Sequence, residues 1–64
     1  MMQKAYINLY LYGTDRLHAG TGVYQTFDMA VKTAMHKRNY VMTCEIQFPS
    51  GKFKPNLTGG WTKR

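Results

Sequence analysis

The residues able to carry acid–base or nucleophilic chemistry are few, and their spacing does not group them. They are three acids, two histidines and one cysteine: Asp15, Asp28, Glu45, His18, His36 and Cys44. General acid–base catalysis needs two groups poised across a substrate, and a structural zinc ion needs four ligands at characteristic spacings. The sequence shows neither arrangement, so we predict no enzyme, no metal site and no cofactor. Gly20-Thr21-Gly22 resembles a fragment of a phosphate-binding loop, but it lacks the full spacing and the Lys-Ser/Thr ending.

A second group of residues is aromatic. Tyr6, Tyr10 and Tyr12 alternate with aliphatic residues along residues 4–12. This period of two is typical of a β-strand and places the rings in a row on one face, with neighbouring positions ~7 Å apart. Three interpretations are open: the row stacks unpaired nucleic-acid bases, packs against a second copy in a homodimer, or is a solvated strand face.

The third group is basic. Nine Lys and Arg against three acids give the 64-residue chain a formal net charge of +6. A positive field of this kind favours nucleic acid, an acidic protein face or an anionic membrane, although charge also serves solubility alone. Together with the tyrosines, the candidate partner-binding residues are the exposed cations of the predicted helix and hairpin and the tryptophan of the tail: Lys32, Lys37, Arg38, Lys52, Lys54 and Trp61. Trp61 either anchors a partner or folds back to cover the core.

Two of these lysines lie in the predicted last hairpin. Lys52 and Lys54 are two positions apart, so on a strand they face the same way. If they flank the tyrosine row, they form a Lys- and aromatic-lined groove suited to single-stranded nucleic acid. If they project elsewhere, they are charged edge residues that deter strand aggregation.

The elements that position these residues follow from periodicity and turn chemistry. They are a strand at 4–12, a loop or second strand within 13–25, a helix at 27–38 capped by Thr26, a strand at 40–48, a turn at 49–52 and an edge strand at 53–57. We therefore predict an α+β domain over 1–58, with a flexible basic tail at 59–64. Its antiparallel sheet has three or four strands in the order β(β)αββ, and one helix packs on one face.

One helix covers only one face of such a sheet. The aliphatic side of the strands is expected to meet the helix and form the core: Ile7, Leu9, Leu11, Phe27, Val31, Ala34, Met35, Met42, Cys44 and Ile46. The tyrosine row is then expected on the uncovered face.

The setting is predicted to be cytoplasmic. No apolar run reaches the ~18 residues of a membrane span, and the N-terminal residues lack the pattern of a signal peptide. The single cysteine excludes a disulfide within the chain and fits a reducing compartment. A domain this small often gains stability by self-association, so a homodimer is a further expectation.

A layout of this kind resembles that of small phage-encoded early proteins that bind and block host machinery. The resemblance covers length and element order: a tyrosine-rich strand at 5–12, a short helix opened by Thr26-Phe27-Asp28, then a strand and an edge hairpin. It implies a protein-binding inhibitor or regulator in the host cytoplasm and transfers no functional residue. We therefore predict a non-enzymatic basic binding protein that regulates or inhibits an acidic partner protein. The alternatives are a nucleic-acid-binding module using a Tyr/Lys sheet face and a structural homodimer.

Overall fold

A computed structural model describes residues 1–13 and 15–63 of the chain. Thr14, in the predicted loop, and Arg64, in the predicted tail, lie outside the described residues. The elements are β1 (Met2–Tyr12), β2 (Arg16–Ala19), α1 (Phe27–Ala34), β3 (Tyr40–Pro49), β4 (Phe53–Pro55) and β5 (Trp61–Lys63). The predicted α+β class, with one helix and a small antiparallel sheet, is confirmed for the described residues.

The main sheet is antiparallel and has β1 at its centre, in the order β2-β1-β3. Residues 13–25, predicted as a loop or a second strand, do contain a strand: β2 pairs with the C-terminal half of β1. β1 and β3 pair along nearly their full lengths, with a bulge after Leu9. β4 and β5 form a separate hairpin. Tyr24 links the two sheets, since it forms isolated bridges with Tyr6 and with Gly60.

The C-terminal hairpin differs from the predicted edge strand and flexible tail. β4 is shorter than the predicted strand, and β5 occupies most of the predicted tail. Trp61 packs edge-on against Phe48 with ring centroids 5.1 Å apart, and Phe53 packs on the same ring at 4.8 Å. β5 has only three residues, too few to show alternation, and contacts distant in sequence hold it in place.

The helix is shorter than predicted, because α1 ends at Ala34 rather than at residue 38. Thr26 is the N-cap as expected: its backbone is extended and its Oγ1 accepts a hydrogen bond from the Met29 N–H at 3.1 Å. Beyond the helix, the Lys37 N–H donates to the Ala34 carbonyl at 2.9 Å, and turns lead into β3.

Replacing the cap tests whether the helix depends on it. We expect Thr26→Ala to lower the free energy of unfolding by ~1 kcal/mol, because the first turn loses a satisfied N–H. Urea denaturation followed by circular dichroism measures this, and Thr26→Ser should remain close to the wild type. A Thr26→Ala protein as stable as the wild type would argue against the cap.

The helix packs on the tyrosine side of the sheet, so the prediction that the tyrosine row is uncovered is wrong. The Asn8 Nδ2 donates to the Ala30 carbonyl of α1 at 2.9 Å. The rings of Tyr6 and Phe27 meet edge to face at 6.0 Å, and Tyr10 is buried. A tyrosine ring buries as much apolar area as the aliphatic side chains do, so alternation separates the two faces without showing which one the helix covers.

The predicted core is corrected accordingly. Of its ten members only Ala34 is fully buried, while Leu11, Phe27, Met35 and Met42 are exposed. The other buried residues lie on the helix, beneath it or at the hairpin end of the sheet: Ala5, Asn8, Tyr10, Ala30 and Phe48. Ala30 and Ala34 lie one turn apart on the same helix face, and their small size lets the helix backbone approach the sheet.

Directly paired residues of antiparallel strands project to the same side, so the register defines the side opposite the helix. We call it the aliphatic face. Its members from the three strands are the polar residue Gln3 and ten apolar or thiol side chains: Ala5, Ile7, Leu9, Leu11, Leu17, Ala19, Met42, Cys44, Ile46 and Phe48.

Candidate functional site

A pocket of about 290 Å³ opens on the helix side of the sheet, beside the C-terminal end of α1. β1, the loop after β2 and the turn after the helix form its walls. Its lining residues are Asn8, Tyr10, Tyr12, Ala19, Gly20, Thr21, Gly22, Tyr24 and Lys37. We call this the tyrosine pocket.

A cation lies over the buried wall of the pocket. The Lys37 Nζ is 5.6 Å from the centroid of the Tyr10 ring, within the range of a cation–π interaction. Tyr10 is only 7% exposed, so its ring supports the lysine and is not itself free to stack on a ligand. The turn after α1 therefore delivers a positive charge to an aromatic surface.

The rim of the pocket carries a ring that a ligand can reach. Tyr12 is 50% exposed, and its ring lies 6.2 Å from that of Tyr10 and 5.5 Å from that of His18. In the β1–β2 register, Arg16 pairs with Tyr12 and His18 pairs with Tyr10. Both side chains consequently project to the pocket side, and the rim combines an accessible aromatic surface with further basic groups.

The glycines of the loop after β2 make room for the rings. A Cβ placed on Gly20 would lie 2.8 Å from the Tyr10 Cε2, and one on Gly22 would collide with the Tyr24 hydroxyl. The Gly20 N–H also donates to the Asn8 carbonyl at 2.8 Å, which holds the loop against β1. These glycines thus permit close packing of tyrosines, and this explains them without a phosphate loop.

A hydrogen-bonded chain braces the sheet beneath the helix and continues from the pocket wall into β3. The Thr43 Oγ1 donates to the Asn8 Oδ1 at 2.6 Å and lies 2.7 Å from the Tyr40 hydroxyl. The Tyr40 ring in turn meets that of Tyr10 at 6.3 Å. The pocket wall is therefore rigidly connected to two strands and to the helix.

Ion pairs compensate two lysines outside the pocket. Within the described residues, the Lys32 Nζ lies 3.1 Å from the Asp28 Oδ2, and the Lys4 Nζ lies 4.0 Å from the Glu45 Oε1. Both pairs are solvent-exposed, so each contributes little stability, but each cancels a local charge. Lys37 instead contacts an aromatic ring, so its charge remains available to an anion.

Comparison of the chain with protein-family models, with characterised proteins and with solved structures gave no match. The site is therefore interpreted from its own residues alone.

The structure brings three of the predicted partner-binding residues together, namely Tyr10, Tyr12 and Lys37. The other six lie outside the lining of the pocket. Tyr6 is half-buried against Phe27 and Lys32 pairs with Asp28, while Trp61 packs on Phe48; the remaining three are exposed cations, Arg38, Lys52 and Lys54.

Sequence reasoning missed several residues of the site: Arg16, His18, Gly20 and Tyr24. A sequence pattern could have found Arg16 and His18, since residues two apart share a face once a strand is assigned. No such pattern indicates Tyr24 or the glycines, because they reach the site only where the chain returns beside β1. In the described part of the chain, no three His, Cys, Asp or Glu side chains group to hold a metal ion. The same residues contain no helix long and apolar enough to cross a membrane.

Proposed function

We propose that this chain is a non-enzymatic binding protein, and that the tyrosine pocket takes one nucleotide unit of a single-stranded nucleic acid. The observation that supports it is the Lys37 ammonium held over Tyr10 beside the half-exposed Tyr12 ring. Single-strand binding proteins combine aromatic surfaces for the bases with cations for the backbone. Here Tyr12 stacks on a base and Lys37 binds a phosphate.

The dimensions of the pocket support a small occupant. A volume of about 290 Å³ lies just below the ~300–1,000 Å³ range of ligand pockets. It suits one nucleotide unit, whose base lies against the rim at Tyr12, and is small for a whole cofactor. Arg16 and His18 at the rim extend the basic surface along the strand that neighbouring nucleotides would follow.

Binding to labelled oligonucleotides tests the proposal. Fluorescence anisotropy at low and moderate salt should show binding to single strands that weakens with salt, because each phosphate contact releases counterions. We expect Lys37→Gln to weaken this binding ~10-fold and to reduce the salt slope by about one contact. Tyr12→Ser should weaken it ~5- to 100-fold through lost stacking, whereas Tyr12→Phe keeps the ring and should bind like the wild type.

Lys32→Gln is the matched control for the lysine. It removes the same charge from the same region of the chain, but the charge it removes is already paired with Asp28 and lies outside the pocket. Equal losses in the two lysine variants would indicate a general effect of net charge and would count against the pocket. No binding by the wild type even at low salt would eliminate nucleic acid as the partner.

An acidic partner protein is the second candidate, and exposed apolar side chains at the two ends of the helix favour it. Phe27 and Met35 are 54% and 64% exposed, and Lys32 lies between them in the sequence. Exposed apolar side chains rimmed by polar residues mark protein-interaction sites. Such a partner would be regulated or inhibited by occlusion. In that case Met35→Ser should weaken capture of an acidic protein, while Tyr12→Ser leaves it unchanged.

A further inference from the structure

The aliphatic face is uncovered at one end. Near the hairpin, Ala5 and Phe48 are buried. At the opposite end, the paired residues Leu11 and Leu17 are 39% and 53% exposed, and Met42 on β3 is 46% exposed. A sheet with apolar side chains on both faces needs a layer on each. In the described residues α1 covers one face, and the hairpin of β4 and β5 covers only the Phe48 end of the other.

The charge distribution excludes most partners for this face. Among the described residues, no Lys, Arg, Asp or Glu belongs to the aliphatic face, although the chain carries a net charge of +6. An acidic protein or a nucleic acid would find no cation there. A second copy fits, because two identical faces can meet without burying a charge, while Lys4, Lys32 and Lys37 stay on the far sides of the pair.

The accessible surface of the single chain also indicates a missing contact. It measures 4828 Å² for a chain of 7.4 kDa. Scaling of monomer surfaces with mass gives ~4,200 Å² for this mass, so the chain exposes roughly 600 Å² more than a compact monomer. A contact buried on each copy would remove part of this excess.

We infer that two copies of this chain pack their aliphatic faces together in a two-fold symmetric dimer, as a sandwich with the helices outside. Two such faces pack ~10 Å apart with interdigitating side chains. Beyond the end that the hairpin covers, residues 7–12 of β1 and their β3 partners project about 20 Å by 10 Å, and the four residues of β2 add about 13 Å by 5 Å, or roughly 250 Å² per copy. The total of ~500 Å² falls well below the ~1,200–2,000 Å² of stable interfaces, so the dimer is weak and depends on concentration.

Sedimentation of the full chain with a matched pair of variants tests the dimer. Between ~10 µM and ~1 mM, the range in which so small an interface associates, the wild-type mass should rise from one chain towards two. Met42→Lys should remain monomeric, because it places a charge in the interface. Met35→Lys makes the same change at a 64% exposed position, the C-cap of the helix, and it should associate like the wild type.

Two further measurements separate loss of the dimer from loss of the fold. Leu17→Lys repeats the test on β2, and circular dichroism shows whether each variant is folded. The Cys44 thiol lies on the same face, so in the wild type its modification by a thiol reagent should slow as protein concentration rises. A wild-type chain that remains a monomer at the highest concentration overturns the inference, and so do Met42→Lys and Met35→Lys variants that associate equally.

Discussion

Asn8→Asp is expected to remove a large part of the protein's stability at neutral pH. Asn8 is 1% exposed, and its Nδ2 donates to the Ala30 carbonyl at 2.9 Å. Aspartate replaces this donor by an acceptor that faces another acceptor, and it buries a charge. An unsatisfied buried polar group costs ~1–3 kcal/mol and a charged one more, so we expect a loss of ~3–5 kcal/mol. That loss is comparable to the total stability of a small domain, roughly 3–10 kcal/mol at this length.

The same substitution should make stability depend on pH in a defined direction. Burial raises the pKa of the introduced carboxyl group in the folded state above its unfolded value. The folded chain then binds more protons than the unfolded chain, so stability falls as pH rises. Below ~pH 4, near the unfolded pKa of aspartate, the protonated carboxyl can donate to the Ala30 carbonyl and much of the loss should be recovered.

Urea unfolding of the variant and the wild type at acidic and neutral pH measures this difference. Asn39→Asp is the matched control, because it makes the same chemical change at an exposed position after the helix. Its free energy of unfolding should stay within ~0.5 kcal/mol of the wild type. An Asn8→Asp protein that is as stable as the wild type at neutral pH would show that the helix does not depend on this hydrogen bond.

Ala34→Leu is expected to lower the free energy of unfolding by about 3 kcal/mol, at the upper end of the usual ~1–3 kcal/mol cost of overpacking. Ala34 is 0% exposed, so three added carbon atoms have no space unless α1 moves away from the sheet. That movement would also lengthen the bond between Asn8 and Ala30 one turn earlier. At ~4–8 °C per kcal/mol for a domain of this size, the melting temperature should fall by roughly 12–24 °C.

Lys32→Leu provides the comparison on the same helix. It introduces the same residue on the exposed side, where space is open, and removes only a surface ion pair. Its melting temperature should change by a few degrees at most, since such pairs contribute ~0.3–0.5 kcal/mol. If Ala34→Leu and Lys32→Leu have the same melting temperature, the helix is not in close contact with the sheet.

Local patterns predicted most of the secondary structure. The alternation from Lys4 to Tyr12 marks β1, and Thr26 marks the start of the helix. Boundaries set by distant contacts were missed: the early end of α1, the short β4 and the whole of β5. Of the pocket, only Tyr10, Tyr12 and Lys37 were among the predicted partner-binding residues, because Tyr24 and Gly20 reach it through chain reversal.

The sequence by itself determined that this is a small basic α+β chain, whose central strand has one aromatic and one aliphatic face. These are properties of residue type and of a period of two, and they need no tertiary contact. Only the tertiary structure decided which face the helix covers. Ala30 and Ala34 let the helix come close enough for Asn8 to bond to its backbone, and the tyrosine rings pack around that contact. That choice moved Tyr10 into a pocket wall and left one end of the aliphatic face uncovered.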